Sequence, residues 1–406
     1  MSARQVMTAS RASSISAARH YLPFRMAAFQ DPGFMLPGWR WWLMVSIGVS
    51  AAALANPNLD GMQWLQKIQQ AAHKLNYSGS FVYLQQGGQP QTSRITHLVE
   101  NGVEKERLEM LEGAPVVVVR SNDEVKTYLP DSKTILVEKR RPKSAFPALV
   151  ASSLGNLPVS AATVTSNPSA NANPPNSGAS LTPVAAAVPA FNPVNGIVDQ
   201  YIVRKWDNQR IAGLDCQVLL LEPKDSLRYT HKLWADMNTG LLLKAQTFNE
   251  KSEVVEQIAF AQIEIGGIIE KYQAKFNQRD GGRDWRTASA QVWDVSLAEA
   301  GWKIDPVLPG FKKISELRRG MADGVSVGQV VFSDGLSSVS VFVEPARDGA
   351  KLKEGVTTQG AVNIYRRKVA EHLITVLGEA PPACVTRIAK SVEFKFTPAN
   401  PNRSTP

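Results

Sequence analysis

The sequence predicts an α+β protein: a large curved antiparallel sheet, a half-barrel laid over one helix, followed by a smaller α+β domain. Three observations predict it. Apolar residues recur every three or four positions over 58–77, then every second position in short runs from Gly79 onward. A stretch of 55 residues (144–198) without Asp, Glu, Lys or Arg interrupts those runs without changing their kind.

The chain opens with an export signal. Residues 41–55 read WWLMVSIGVSAAALA behind Arg40, a positive flank and an apolar stretch of about 15 residues that ends in the A-x-A site Ala53-Leu54-Ala55. Such a stretch is too short to span about 30 Å of hydrocarbon comfortably. Cleavage after Ala55 is expected, and because no Cys follows there is no acylation site. Residues 1–55 are therefore set apart as an N-terminal extension and signal peptide, with Met35 as the expected true start.

The first element after it is a helix. Met62, Leu65, Ile68, Ala72 and Leu75 line one face, and Gln and Lys fill the other. From Gly79 the period becomes two. Six short strands follow, separated by turn residues at Gly87-Gly88, Asn101-Gly102, Ser121-Asn122-Asp123 and Pro130-Asp131, so sequential strands pair antiparallel. The charge-free stretch lacks the apolar density to offset chain entropy, which predicts a flexible exposed insertion at about 152–190. Five strands resume after it, with turns expected at Asp207-Asn208, Pro223-Lys224-Asp225, Met237–Gly240 and Asn249-Glu250. Both blocks read as one sheet, giving a first domain at 56–266. The irregular stretch 267–298 reads as a linker. A second small sheet and a helix beginning at Pro382, with Val385, Ile388, Ala389 and Val392 inside, make a domain at 299–397. A tail follows at 398–406.

Composition limits the function. The chain carries net charge +9, of which residues 1–55 supply +4 from five Arg and one Asp. The remaining +5 is a weak signal for nucleic acid, which needs a clustered basic face. Among the five His (His20, His73, His97, His231 and His372) there is no HExxH and no pair at helical spacing; His20 goes with the signal region, and each of the other four reads as a surface or turn-adjacent residue. No GxSxG elbow, P-loop or GxGxxG appears, so no catalytic set, metal site or cofactor is expected. Asp334-Gly335 reads as a hairpin turn. Cys216 and Cys384 read as two buried thiols, and a disulfide between them stays open. The basic clusters Lys312-Lys313, Arg318-Arg319 and Arg366-Arg367-Lys368 read either as a solvated face or as a docking surface for an acidic partner or lipid phosphate. Strand alternation keeps them from forming a single patch. A curved sheet over a helix leaves an apolar groove, which suits binding rather than turnover.

Several segments resemble one family: Tyr77–Gly87 (YSGSFVYLQQG), Ser93–Gly102, Glu124–Thr134, Arg210–Lys244 (which includes LWADMNTGLLLK), Leu308–Phe311 (LPGF), Val330–Pro345 and Gly378–Val392. In this order they are similar to the RseB/MucB family of periplasmic regulators of the envelope-stress, sigma-E type sigma factor. The first domain also resembles the LolA/LolB lipoprotein-carrier fold. The resemblance implies a periplasmic non-enzyme that binds the periplasmic domain of a single-span anti-sigma factor, RseA- or MucA-like. It would shield that factor from regulated proteolysis and be released by lipid, lipopolysaccharide or mislocalised lipoprotein acyl chains. The second domain is expected to supply much of the partner contact, with Arg318, Arg319, Arg366 and Arg367 as its candidate residues. The insertion at 152–190 departs from the family pattern. The alternative is a periplasmic lipid or lipoprotein carrier, for which the first domain alone would suffice. Oligomeric state stays open, homo-oligomer included.

Overall fold

The structure, a computed structural model, describes residues 57–121, 124–139, 193–267, 269–276, 281–282, 284–289, 292–320, 326–346 and 353–395. The expected signal segment with Ala53 and Ala55, the insertion at 152–190 and the tail lie outside them.

Helix α1 (Pro57–Lys74) forms where the three-to-four spacing placed it, and buries Leu65, Ile68, Ala71 and Ala72. A large curved open sheet follows. Its first six strands are β1 (Tyr77–Gln85), β2 (Gln91–Glu100), β3 (Val103–Met110), β4 (Val117–Ser121), β5 (Glu124–Leu129) and β6 (Thr134–Lys139). Beyond the insertion come β7 (Tyr201–Ile211), β8 (Leu214–Pro223), β9 (Thr230–Asp236), β10 (Leu242–Phe248) and β11 (Val254–Ile265). Pairing of β1 with β11, Tyr77 opposite Ile265, welds the two blocks together, and the strand order is β12-β6-β5-β4-β3-β2-β1-β11-β10-β9-β8-β7. Sequential neighbours are antiparallel, as short turns require. Strand β12 (Arg286–Ser289) adds to β6 in parallel.

α1 lies against β7 and β10. Leu65 and Ile68 enter one apolar cluster with Tyr201, Val203, Leu219, Leu221, Leu233 and Leu242. A second cluster gathers Phe81, Ile95, Leu108, Val118, Ile258 and Phe260 further along the sheet.

Two expectations need correction. Asp207-Asn208 is not a turn. β7 runs through it with a bulge between Trp206 and Gln209, and the chain reverses at Ala212-Gly213, where φ is 48° and 83°. An extra residue in one strand is absorbed as a bulge when the flanking strand remains paired. The end of the charge-free stretch is also helical: α2 (Pro193–Gln200) buries Ile197 completely.

The stretch 267–298 carries α3 (Ile269–Phe276), β12 and β13 (Val292–Asp294), and β13 joins the smaller sheet. That sheet has the order β13-β15-β16-β17-β20-β19-β18, with β15 (Lys312–Gly320), β16 (Ser326–Ser333), β17 (Ser338–Pro345), β18 (Gly355–Gln359), β19 (Val362–Val369) and β20 (His372–Gly378). Helix α4 (Pro382–Ser391) buries Cys384, Val385, Ile388 and Ala389 against it. A two-stranded pair, β14 (Trp302–Lys303) with β21 (Glu393–Phe394), closes this lobe.

Candidate functional site

The two lobes meet along a built seam, and the side chains of its buried ion pair come from turns. The β8–β9 connection of the large lobe carries Asp225, Leu227, Arg228 and Tyr229. The β16–β17 hairpin of the small lobe carries Asp334, Gly335, Leu336 and Ser337. Arg228 Nε donates to Asp334 Oδ2 at 2.7 Å, with both side chains fully buried. The other guanidinium nitrogens donate to Asp225 and to the Pro309 carbonyl, and the Phe311 ring lies 5.0 Å from the guanidinium carbon. Asp334 Oδ1 accepts from the backbone N–H of Leu336 (3.0 Å) and Ser337 (2.8 Å). A buried charge needs this degree of pairing.

Apolar residues cross the seam in both directions. Leu336 of the small lobe belongs to the cluster under α1, and Leu227 of the large lobe packs on the small-lobe core. Tyr229, Val255 and Ala361 form a small cluster of their own. Asn363 Nδ2 donates to the Tyr229 hydroxyl and to the Ala380 carbonyl, each at 2.8 Å. Gly360, with φ at +57°, lets the β18–β19 turn come so close that a Cβ there would sit 2.0 Å from Gln85 Cγ. Gln85 Nε2 donates to the Gln359 carbonyl at 2.9 Å. At the far end, Arg319 Nη1 donates to Glu138 Oε1 of β6 at 2.7 Å.

The four candidate arginines divide accordingly. Arg318 and Arg319 sit on β15, and Arg366 and Arg367 on β19, with β16, β17 and β20 between them. At about 4.8 Å per strand the two pairs are roughly 19 Å apart, so they do not form one cluster. Arg319 is engaged by Glu138 and by Gln329 Oε1 (3.0 Å), and Arg367 by the Val392 carbonyl. All four are half-buried.

Three residues read as unremarkable turn out to be structural centres. His97 and His231 are buried, not surface or turn-adjacent. His97 donates Nδ1–H to the Leu75 carbonyl at 2.8 Å and faces Glu104 Oε1 through Nε2 at 3.0 Å. His73 approaches the same carboxylate at 3.3 Å. Burial pushes Glu104 up, but hydrogen bonds from His73 and His97 and their charges bring it down to about 2. His231 has no compensating charge, and burial lowers it to about 4. Asp334, read as a hairpin residue, occupies that hairpin and is also the buried partner of Arg228. Cys216 and Cys384 are free and buried, and burial pushes their thiols up to about 11 and about 12. Among the described residues, no group of three or more His, Cys, Asp or Glu is arranged to hold a metal ion. No helix there is long and apolar enough to cross a membrane.

Comparison with known proteins places both lobes. The MucB/RseB N-terminal domain matches residues 60–278 and the MucB/RseB C-terminal domain matches residues 296–393. The chain is 27% identical over 356 residues to the "Sigma factor AlgU regulatory protein MucB" of Pseudomonas aeruginosa, covering 86% of this chain and 96% of that protein. It is 24% identical over 362 residues to the "Sigma-E factor regulatory protein RseB" of Salmonella typhimurium, covering 87% and 98%. Its fold is that of MucB in the Pseudomonas aeruginosa MucA/MucB complex, with a TM-score of 0.57 and 24% identity over 83% of this chain and 100% of that one.

Proposed function

The chain belongs to the MucB/RseB family, and from that premise we propose that it is a negative regulator of an extracytoplasmic-function sigma factor, acting by binding the periplasmic part of a transmembrane anti-sigma factor. The observation that carries this reading is the match of both lobes, in order, to relatives named as sigma-factor regulators, one of them solved with MucA. In this reading the protein is exported and works in the periplasm, and the bound anti-sigma segment is shielded from regulated proteolysis. In the same reading a lipid, lipopolysaccharide or lipoprotein acyl chain is the releasing ligand, shifting the population away from the complex.

Partner contact is assigned to the four arginines of β15 and β19, Arg318, Arg319, Arg366 and Arg367. The test is calorimetric titration of the protein with the periplasmic segment of the anti-sigma factor, followed by protease challenge of that segment. Saturable binding that slows its cleavage is expected. The R318A/R366A variant should bind about tenfold more weakly, a loss of about 1.4 kcal/mol that shrinks as salt is raised. No detectable binding by the wild-type protein would end this reading.

A further inference from the structure

Two lysines of the large lobe rest on indole rings with no carboxylate beside them. Lys244 Nζ, on β10, lies 4.6 Å from the Trp234 ring centroid. Lys232 Nζ, on β9, lies 5.2 Å from that same ring and 5.4 Å from the ring of Trp206 on β7. The other Lys and Arg side chains of β7–β10 are matched: Arg204 with Glu222, Lys205 with Asp60 and Arg210 with Asp215. Among the described residues, no acid pairs with Lys232 or Lys244. Both ammoniums approach one ring, so two like charges are held close together. Burial lowers Lys244, and the charge on Lys232 lowers it further.

Strand register builds this group. Trp206 stands opposite Val218, Val218 opposite Trp234, and Trp234 opposite Lys244. Leu219 and Leu233, one position along, belong to the cluster under α1. Alternation therefore turns Trp206, Lys232, Trp234 and Lys244 to the opposite face of the sheet. Trp234 is a fixed floor, 2% exposed, with its Nε1 donating to Gln209 Oε1 at 2.7 Å. Trp206 is 50% exposed. Gln246, opposite Lys232, donates Nε2–H to Gln257 Oε1 at 2.6 Å, so its amide does not join the lysines in framing a single anion. What this face offers is two point charges on long apolar stems beside an amphipathic ring with half of its surface in water. That chemistry suits a membrane–water interface, where Trp sits at headgroup level and Lys reaches lipid phosphates.

We infer that this face of the large sheet docks on an anionic phospholipid surface, with Trp206 entering the headgroup layer and Lys232 and Lys244 set against lipid phosphates. Charge complementarity selects the occupant. A lipid surface supplies anions wherever the two ammoniums reach and so offsets the repulsion between them, whereas an acidic peptide must present its carboxylates at one spacing. Two lysines and one indole concentrate the protein at a membrane without anchoring it there. The face lies on the other side of the sheet from the α1 cluster. The inference therefore stands or falls independently of the acyl-chain ligand and of the regulated partner.

The test is cosedimentation of the exported form of the chain with large unilamellar vesicles. One set is phosphatidylcholine alone, and the other carries about 30% phosphatidylglycerol. Binding to the anionic vesicles is expected, with little to phosphatidylcholine, and it should weaken steeply between about 0.05 M and about 0.3 M salt. K232Q/K244Q should bind about thirtyfold more weakly, at about fivefold per lysine. W206A should bind about tenfold more weakly. K390Q/K395Q removes the same charge from exposed positions of the small lobe and should stay within about twofold of wild type. Equal binding to both vesicle types overturns the inference, as does binding to neither. So does undiminished binding by K232Q/K244Q, or an equal loss in K390Q/K395Q, which would make net charge the cause. Soluble poly-glutamate held by wild type but not by K232Q/K244Q, with no vesicle binding, assigns the face to an acidic protein and overturns it too. The comparison of the two vesicle types uses wild-type protein alone and decides the matter if a variant fails to fold.

Discussion

At residue scale, Arg228 shows what the seam demands. Its guanidinium is fully buried and is balanced chiefly by Asp334, which belongs to the other lobe. Removing one partner of a buried ion pair leaves the other charged and poorly solvated, which typically costs 3–5 kcal/mol. Asp225 and the Pro309 carbonyl remain in place, so D334A should lower unfolding free energy in urea by about 3 kcal/mol. The double variant R228L/D334A should regain much of that loss, because the one carboxylate left without its partner, Asp225, is partly exposed to water. A double variant no more stable than D334A would show that the stranded guanidinium is not the source. His97 offers a pH-dependent counterpart. The Leu75 carbonyl only accepts, so Nδ1 holds a proton, and Nε2 then needs a second proton to donate to Glu104. Burial alone would lower His97, but hydrogen bonds to Glu104 and Leu75, with the charges of Glu106 and Glu104, leave it raised. Its contribution is complete below the ordinary histidine value of about 6.5 and is lost as pH rises through the raised value. Glu104 contributes above its ordinary value of about 4.5 and loses that contribution as pH falls toward about 2. The pair is therefore at full strength between about pH 4.5 and about pH 6.5. E104Q should cost about 1 kcal/mol in that window, allowing for the partial exposure of Glu104, and less above it. Because neutral, buried His231 destabilises the acid side on its own, the readout is the difference between wild type and E104Q in urea midpoint at each pH.

At element scale, α1 and the pairing of sequential strands were legible because period and turn chemistry act locally. The three-to-four spacing of Leu65, Ile68 and Ala72 specifies a helix wherever the core lies, and each Gly- or Asn-bearing turn joins neighbours in sequence. Legibility failed where a local signal has two structural solutions. Asp207-Asn208 suits a turn and equally a bulge, and pairing of β7 with β8 on both sides decides for the bulge. α2 was hidden because six of its eight residues lie inside the long charge-free stretch, where a single buried Ile197 is too little to set a period. Packing of α1 on β7 leads to a substitution whose sign runs against helix propensity. In a helix interior Ala is favoured over Gly by about 1 kcal/mol. A Cβ at Gly61, however, would lie 2.6 Å from Val203 Cγ1 and 2.9 Å from Val203 Cβ, and β-branched Val203 has little rotamer freedom on its strand. Overpacking of this kind costs about 1–3 kcal/mol. G61A should therefore lower the thermal midpoint, and V203A introduced into G61A should restore part of it. A rise in midpoint for G61A alone would mean that α1 shifts freely over β7.

At the scale of the whole molecule, two family domains are held as one body by contacts between residues far apart in sequence. This is why the site was less legible than the fold. Asp334 and Arg228 are 106 residues apart, and Arg319 and Glu138 are 181 apart. The same long-range contacts set the cooperativity of unfolding. Leu336 is 4% exposed, yet its hairpin belongs to the small lobe while its side chain sits in the cluster beneath α1 with Leu65 and Ile68. Truncating such a leucine costs about 2–5 kcal/mol, and here the loss falls on the coupling between lobes as much as on either core. Wild-type protein should unfold in a single calorimetric transition, and L336A should split it into two, each lobe melting on its own hydrophobic core. L65A removes a comparable side chain from the same cluster but leaves the small-lobe hairpin with its Leu336 in place, so it should lower the midpoint while keeping one transition. Two transitions in L65A as well, or a single one in L336A, would locate the coupling elsewhere than in this hairpin.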